Sequence, residues 1–214
     1  MRDKAIEDFR RAVGDRVAHV TAADNLPFIR RYGLMSAQAL AAALDQPGDS
    51  LALRRSRRVL QHGARTAVLN HQRPILHGIS AAARVLDGHS VESWAHALDQ
   101  RVYFWPKKKG QRFAASIRRD LPIAVLWLDT VGLAKAVFTE LDLAPINTGN
   151  FTQGGAHSLR GDWIYVPLSK GLEAFRENRR KRLGMNSRDT VAEISLRRPI
   201  EPDMLNALIV DVEK

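Results

Sequence analysis

Three polar side chains stand in segments that otherwise read as apolar strands, and their types could do chemistry on a bound ligand. His19 and Thr21 lie two residues apart in a predicted strand over 16–21, so both point to one face of it. Glu193 stands inside the apolar run 191–196. An imidazole can exchange a proton near neutral pH, and a carboxylate can act as a base or stabilise positive charge. The three residues therefore indicate a ligand-binding cleft.

Each of these residues also has an ordinary structural interpretation. A strand histidine is more often a hydrogen-bonded structural group, and a strand glutamate can face water at the edge of a sheet. A buried, ionised Glu193 must instead line a cleft or meet a partner, because an unpaired charge is costly away from water. The residues alone leave both interpretations open.

The segment after the first strand predicts a short helix over 25–32. Asp24 or Asn25 can cap its start, Pro27 is tolerated in its first turn, and Gly33 can supply a left-handed C-cap. A compact unit of strand, capped helix and glycine turn would hold His19 as the floor of a ligand site.

The remaining elements follow from hydrophobic periodicity and from turn residues. Helices are predicted over 3–13, 36–44, 51–60, 71–86, 90–98, 110–120, 131–137 and 171–178, with a break at Pro47-Gly48-Asp49; strands are predicted over 101–105, 122–129, 163–167 and 192–196, and a helical turn and last strand over 199–212. Because helices concentrate early and strands late, the pattern predicts an α+β fold in a single domain over 1–214.

Composition excludes several classes of protein. The chain has 214 residues, 45% hydrophobic and 26% charged, and no apolar run approaches the roughly 20 residues that a membrane span needs. Absence of cysteine excludes disulfides, thiolate zinc sites and cysteine nucleophiles, and the histidine spacing favours no metal site. Phosphate-loop, dinucleotide-glycine, zinc-hydrolase and serine-hydrolase motifs are missing. The sequence therefore predicts a soluble, cytoplasmic protein without a metal and without membrane contact.

Basic residues exceed acidic ones by 33 to 23, for a formal net charge of +10. Such an excess is typical of nucleic-acid binding when the charges share one side of the molecule. We expect Lys107 and Lys108, together with Arg179 and Arg180, to contact phosphates. The alternative is a solvated basic surface with no partner.

The order of several short motifs resembles that of DarT-type ADP-ribosyltransferases. The motifs are His19-x-Thr21, Asn25-Leu26, Gly33-Leu34, Val102-Tyr103-Phe104 and Ala192-Glu193. The chain resembles more closely still a family of uncharacterised bacterial proteins. That second resemblance rests on Gln72-Arg73-Pro74, Val102-Tyr-Phe-Trp-Pro106 and Asn147-Thr-Gly149, and spans most of 16–212.

The resemblance implies an NAD-dependent ADP-ribosyltransferase with a split-sheet core and a helical insertion in its first half. It implies that Glu193 is the catalytic carboxylate. Arg73 is the expected arginine of the nicotinamide pocket, because Pro74 and a helix start fix its position, with Arg54 and Arg65 as alternatives.

The same resemblance implies a set of contacts to NAD, which would be a substrate. His19, Thr21, Asn25 and Gly33 would line its site, and Tyr103 would stack on the nicotinamide. The expected acceptor is DNA or RNA. A role as a toxin is also implied, with a cognate antitoxin or hydrolase as partner.

Two other functions fit the same residues. One is a non-catalytic basic module that binds nucleic acid. The other is a metal-free ribonuclease-like toxin in which His19 and Glu193 serve as acid and base.

Overall fold

The structure is a computed structural model that describes residues 1–47, 51–152, 157–187 and 190–214. The helices are α1 (Arg2–Val13), α2 (Leu26–Tyr32), α3 (Ala37–Ala43), α4 (Arg73–Leu76), α5 (Ile79–Val85), α6 (Val91–Asp99), α7 (Lys107–Arg118), α8 (Thr130–Ala136), α9 (Gly171–Leu183) and α10 (Pro202–Leu208). The strands are β1 (Arg16–Ala22), β2 (Arg58–His62), β3 (Arg65–Leu69), β4 (Val102–Pro106), β5 (Ile123–Asp129), β6 (Leu141–Ala144), β7 (Val166–Pro167), β8 (Glu193–Leu196) and β9 (Ile209–Glu213).

Seven of the strands form one sheet in the order β7-β6-β8-β4-β1-β5-β9. Every pair of neighbouring strands in it is antiparallel. Helices lie on both faces, so the predicted α+β class is confirmed.

The sheet is joined at its centre by a short junction. Strands β1 and β4 pair only at Val17 with Pro106 and at Ala18 with Trp105. One residue further along β1, a side chain makes the contact between the two strands in place of the backbone. The Nδ1 atom of His19 lies 2.9 Å from the carbonyl oxygen of Tyr103 in β4. The sheet thus consists of two halves, and the side chain of His19 lies at the point where their pairing stops.

Each face of the sheet is covered by apolar packing. On one face, α1, α8, α9 and α10 contribute to a core around Phe9, Leu126 and Ile194. On the other face, α7 lies across β1, β4 and β5. Gly110 allows this close approach, because a Cβ there would meet the Cβ of Ala18 at 2.5 Å.

The middle of the chain differs from its predicted helices. The helix predicted over 51–60 is wrong: β2 and β3 form a hairpin that turns at Gly63, whose φ is +57°. The hairpin is stable because Leu60, Ala67 and Leu69 alternate inward onto α3 in a small separate core.

Two other predicted elements are shorter than expected. The helix predicted over 71–86 is two helices, α4 and α5, since Gly78 between them lies against the carbonyl of Phe151, where a Cβ would come within 2.4 Å of the oxygen. The strand predicted over 163–167 is reduced to β7 after a 3₁₀ turn. The predicted break at Pro47-Gly48-Asp49 falls mostly outside the described residues.

The caps predicted for α2 are wrong in their detail. Asn25 occupies the N-cap position, but its side chain makes no capping hydrogen bond. Gly33 has a positive φ of +84° with ψ near −174°, which is not the left-handed helical conformation. The backbone needs this turn because Leu34 and Ile200 exchange two hydrogen bonds of 2.9 Å beside it.

We expect Gly33→Ala to lower the free energy of unfolding well beyond the roughly 1–2 kcal/mol that a left-handed φ costs a side chain. The added Cβ would lie 2.2 Å from the carbonyl oxygen of Ile200, which is backbone and cannot rotate away. Gly14→Ala is the matched control, because Gly14 has φ +98° but nothing within 4 Å of an added Cβ. Urea unfolding of both variants measures the difference; equal losses would show that the close approach to Ile200 contributes nothing.

Candidate functional site

A cavity of about 540 Å³ opens beside the central junction of the sheet. Its wall includes residues of β1, β3, β4, α7, the loop 147–150 and β8. His19, Thr21, Asn25, Gly33, Tyr103 and Glu193 all line it. The volume lies within the range of about 300–1,000 Å³ that small-molecule sites occupy. The residues that the sequence grouped for one ligand are therefore neighbours around one cavity.

Glu193 lies in the interior of the sheet. Its strand, β8, is flanked by β6 and β4, and the residue is only 4% exposed. The alternative of an edge glutamate facing water is therefore wrong. Its Oε2 accepts hydrogen bonds from the backbone N–H of Thr148 at 2.8 Å and from the Thr148 hydroxyl at 2.7 Å.

The environment of Glu193 acts on its pKa in two directions. Burial raises the pKa of the carboxyl, while the two hydrogen bonds from Thr148 lower it. The indole N–H of Trp105 lies beside the carboxylate and also lowers the pKa, but it meets no acceptor in good hydrogen-bonding geometry. Among the described residues none donates a well-formed hydrogen bond to Oε1, and Glu193 lines the cavity.

The hydrogen bond of His19 determines its tautomer. A carbonyl oxygen can only accept, so Nδ1 must carry the proton that it donates to Tyr103. Burial lowers the pKa of His19 to about 4, and the ring is therefore neutral at pH 7. Its Nε2 is then a hydrogen-bond acceptor, which suits a ligand hydroxyl.

We expect nitrogen NMR to find His19 as the neutral Nδ1–H tautomer from pH 8 down to about pH 5. Because the folded-state pKa lies below that of the unfolded chain, the unfolded chain binds more protons between pH 6.5 and 4. The contribution of His19 to stability is therefore complete above pH 6.5 and is lost as the pH falls toward 4. A titration midpoint near 6.5, or a proton on Nε2, would contradict this assignment.

Thr21 and Asn25 both line the cavity, but they differ in how many of their hydrogen-bond donors are already used. The Asn25 amide pairs with Val68 like a backbone unit, since Nδ2 donates to its carbonyl at 2.9 Å and Oδ1 accepts from its N–H at 2.6 Å. Nδ2 also donates to the Thr21 hydroxyl at 2.9 Å. Asn25 therefore anchors the β2–β3 hairpin, and its two N–H donors are already used. The hydroxyl proton of Thr21 is the donor that remains for a ligand.

Tyr103 lies across the cavity wall from these residues. Its ring stacks on Trp105 with centroids 6.4 Å apart, and its hydroxyl lies 3.1 Å from that of Tyr165. Burial is the main reason that the pKa of Tyr103 lies well above its usual value, and the nearby charge of Glu193 raises it further. The hydroxyl therefore stays protonated. Stacking of this ring on a nicotinamide stays a prediction.

The arginine expected in the pocket is not in the cavity wall. Arg73 is exposed and donates from Nε to the carbonyl of Arg55 at 3.0 Å, so its assignment to the pocket is corrected. Arg65 also lies outside the wall and donates to the carbonyl of Ala43. A helix start fixes the backbone of a residue but not the direction of a long side chain.

Among the described residues three other arginines line the cavity, and two of them pair with a buried aspartate. Arg54 makes a bidentate pair with Asp99, and Arg101 binds Asp142 at 2.7 Å. Arg57 donates from Nη1 to the carbonyl of Asp120, but its buried Nε has no partner. Arg57 is therefore the described cavity arginine that has no carboxylate partner, and the sequence did not assign it to the pocket.

The predicted phosphate contacts are only partly at the surface. Lys107 and Lys108 are exposed on α7, and Arg180 is exposed on α9. Arg179 is 3% exposed and donates to the carbonyl and hydroxyl of Ser187, so its assignment as a surface phosphate contact is wrong. On a helix, adjacent residues lie about 100° apart, and one of an adjacent pair can therefore face the core.

Several site residues escaped sequence reasoning because their signals were weak. The composition of the Asn-Thr-Gly motif is typical of a turn, and the structure has an Asx turn there, in which the Gly149 N–H donates to Asn147 Oδ1 at 3.1 Å. The motif gave no sign that Thr148 binds Glu193. Arg160 is fully buried behind the loop and had no signal beyond its position in a polar segment.

The described residues contain no group of three or more histidine, aspartate or glutamate side chains arranged to hold a metal ion. Nor does this part of the chain include a helix long and apolar enough to cross a membrane.

The fold and site together define an α+β protein with an antiparallel sheet, joined by a short central junction, and a polar cavity that holds a buried glutamate. The chain belongs to a family of unknown function, DUF7002, whose model matches residues 15–208. The match begins just before β1 and ends with α10, so it includes every residue of the cavity wall. No curated protein matches the chain.

Proposed function

We propose that the protein is an NAD-dependent ADP-ribosyltransferase of the DarT-like type. The observation that carries the proposal is the convergence of His19, Thr21, Tyr103 and Glu193 on one cavity. They come from three segments that are far apart in sequence, and the resemblance assigned all of them to the same substrate.

The chemistry of the cavity suits cleavage of the bond between C1′ of the ribose and nicotinamide. As that bond breaks, nicotinamide leaves with the electron pair and positive charge develops at C1′. Glu193 Oε1 would bind the ribose 2′-hydroxyl and stabilise this charge, because a fixed carboxylate acts strongly in a water-poor site. The acceptor nucleophile then forms the new bond to C1′ and gives its proton to Glu193.

The other cavity groups have complementary roles toward the same substrate. His19 Nε2 would accept from a ribose hydroxyl, and the Thr21 hydroxyl would donate to an oxygen of the ligand. The Arg57 guanidinium, which lines the cavity, would donate to a phosphate oxygen. Asn25 supports the cavity wall through its hydrogen bonds to Val68, and Gly33 supports it through its close approach to Ile200. We assign neither residue a side-chain contact with NAD.

Nucleic acid is the acceptor that the surface supports. Helix α7 exposes Lys107, Lys108, Arg112 and Arg118, a set that we call the basic ridge, and carries no acidic residue. The same helix lines the cavity through Phe113 and Ser116. Its 12 residues extend over about 18 Å, so several phosphates could lie along it with a base near the cavity.

The experiment is to incubate the purified chain with labelled NAD and either DNA, RNA or protein, and to measure both NAD binding and label transfer. We expect label on nucleic acid together with release of free nicotinamide. Absence of NAD binding and of transfer to all three acceptors would refute the proposal.

The basic ridge by itself favours a second function, a non-catalytic nucleic-acid-binding module. That function predicts salt-dependent binding that Lys107→Ala with Lys108→Ala weakens and that Glu193→Gln leaves unchanged, with no turnover of NAD. Arg84→Ala, an exposed arginine of α5, is the control for the loss of charge alone.

A further inference from the structure

We propose that Thr148 is the positioning residue of Glu193: its N–H and hydroxyl hold Oε2 so that Oε1 faces the cavity. The activity part of this inference rests on the proposed transferase function. The structural part can be tested without any turnover.

The geometry makes Thr148 a two-donor clamp on one oxygen. The donors lie 2.8 and 2.7 Å from Oε2, and the residues are 1% and 4% exposed. Water therefore cannot readily replace either donor. Hydrogen bonds to a charged acceptor are shorter and stronger than neutral ones, so the pair fixes the orientation of the carboxylate.

The backbone of Thr148 is itself held from behind. Its carbonyl accepts from the indole N–H of Trp94 at 3.1 Å. The buried Arg160 donates to the carbonyls of Asn147 at 3.2 Å and Asn150 at 2.7 Å, on either side of Thr148. The loop 147–150 is thus fastened at several points, which is what a rigid clamp requires.

The clamp also has a chemical consequence. Burial favours the neutral carboxyl, and donors directed at Oε2 favour the ionised form that can stabilise positive charge. Four interactions oppose burial and lower the pKa of Glu193. The two largest are the hydrogen bonds from Thr148, and the other two come from Trp105 and Arg160. The charge of Glu193 also acts on the pKa values of Tyr103, Tyr165 and Lys109, which are the other described titratable groups near its carboxylate.

The test is to titrate the Glu193 carboxyl carbon by NMR in the wild type, Thr148→Val and Thr148→Ser. Valine has nearly the shape of threonine but lacks the hydroxyl, and serine keeps it. We expect the titration midpoint of Glu193 to rise by about one to two pH units in the valine variant, because that shift corresponds to the energy of one hydrogen bond to a charged group. In the serine variant the midpoint should return toward that of the wild type.

The matched control is Thr130→Val. Thr130 is also fully buried, but its hydroxyl donates to the carbonyl of Gly14 at 2.7 Å, in contact with neither Glu193 nor its loop. We expect this change to leave the Glu193 titration unaltered. An unchanged midpoint in Thr148→Val, or a serine variant that behaves like valine, would overturn the positioning role.

A measurement on the wild type keeps the inference testable if the valine variant does not fold. The Thr148 amide proton should move with the same midpoint as the Glu193 carboxyl carbon, and an amide that does not titrate would refute the clamp.

Transfer kinetics add a separate readout. In Thr148→Val the acidic limb of the pH profile should move to higher pH and kcat should fall more than KM for NAD changes. A folded wild type that does not bind NAD refutes the proposed function, whereas the NMR titration still decides the role of Thr148.

Discussion

Glu193→Gln is expected to reduce ADP-ribosyl transfer by about 10²–10⁴-fold or more, with little change in NAD affinity. Glutamine keeps an oxygen that can accept both hydrogen bonds from Thr148, so the shape of the site is preserved. It removes the negative charge that stabilises C1′ and the base that takes the acceptor's proton. Because the charge matters mainly in the transition state, kcat should fall and binding should persist.

The stability of this variant distinguishes a chemical defect from an unfolded one. Burial raises the pKa of Glu193 in the folded protein, so the folded state holds this proton more tightly than the unfolded chain. Ionisation therefore costs stability as the pH rises through the folded-state pKa, and glutamine avoids that cost. We expect the Tm of Glu193→Gln at pH 7 to equal or exceed that of the wild type.

The control for Glu193→Gln is Glu173→Gln, since Glu173 is an exposed glutamate of α9 whose carboxylate binds Arg176. It should leave both transfer and Tm unchanged. Full transfer activity in Glu193→Gln would contradict the role of the carboxylate.

Asp99→Ala is expected to lower the free energy of unfolding by about 3–5 kcal/mol. Asp99 accepts two hydrogen bonds from Arg54, at 2.5 and 2.9 Å, and a third from Gln72 at 3.1 Å. All three residues are buried, so removing the carboxylate leaves the Arg54 guanidinium in the interior without its counter-charge. Arg54, Gln72 and Asp99 all line the cavity, so we expect this part of its wall to lose rigidity in the variant.

Urea unfolding measures this loss, with Asp8→Ala as the control. Asp8 pairs with Lys4, whose side chain is 83% exposed, and removing such a surface pair should cost no more than about 1 kcal/mol. The double variant Arg54→Leu with Asp99→Leu should be more stable than Asp99→Ala, because no buried charge is left unpaired. Similar losses for Asp8→Ala and Asp99→Ala would show that the buried pair has no special cost.

The ends of the chain were the easiest part to predict. The helix that precedes His19, the strand that contains His19 and the strand that carries Glu193 follow from hydrophobic periodicity within a few positions. Alternation along that last strand is also a local property, and it places Ile194 in the core and Glu193 on the opposite face.

The hairpin in the middle could not be predicted in the same way. Its inward residues are few, and they form a core against residues from other parts of the chain, among them Phe28, Leu40 and Leu51. A segment with two or three apolar residues at ambiguous spacing takes the structure that its neighbours bury best. Periodicity within the segment therefore could not separate helix from strand.

By itself the sequence determined the α+β class, the strands that carry His19 and Glu193, and the polar residues able to bind a ligand. The tertiary structure decided which of them remain open to one. Asn25 is used by Val68, 43 residues away, and Arg54 by Asp99, 45 residues away, whereas Arg57 lines the cavity with no carboxylate partner among the described residues. Whether a polar atom is free depends on hydrogen-bond partners that only folding brings near, and local spacing carries no information about them.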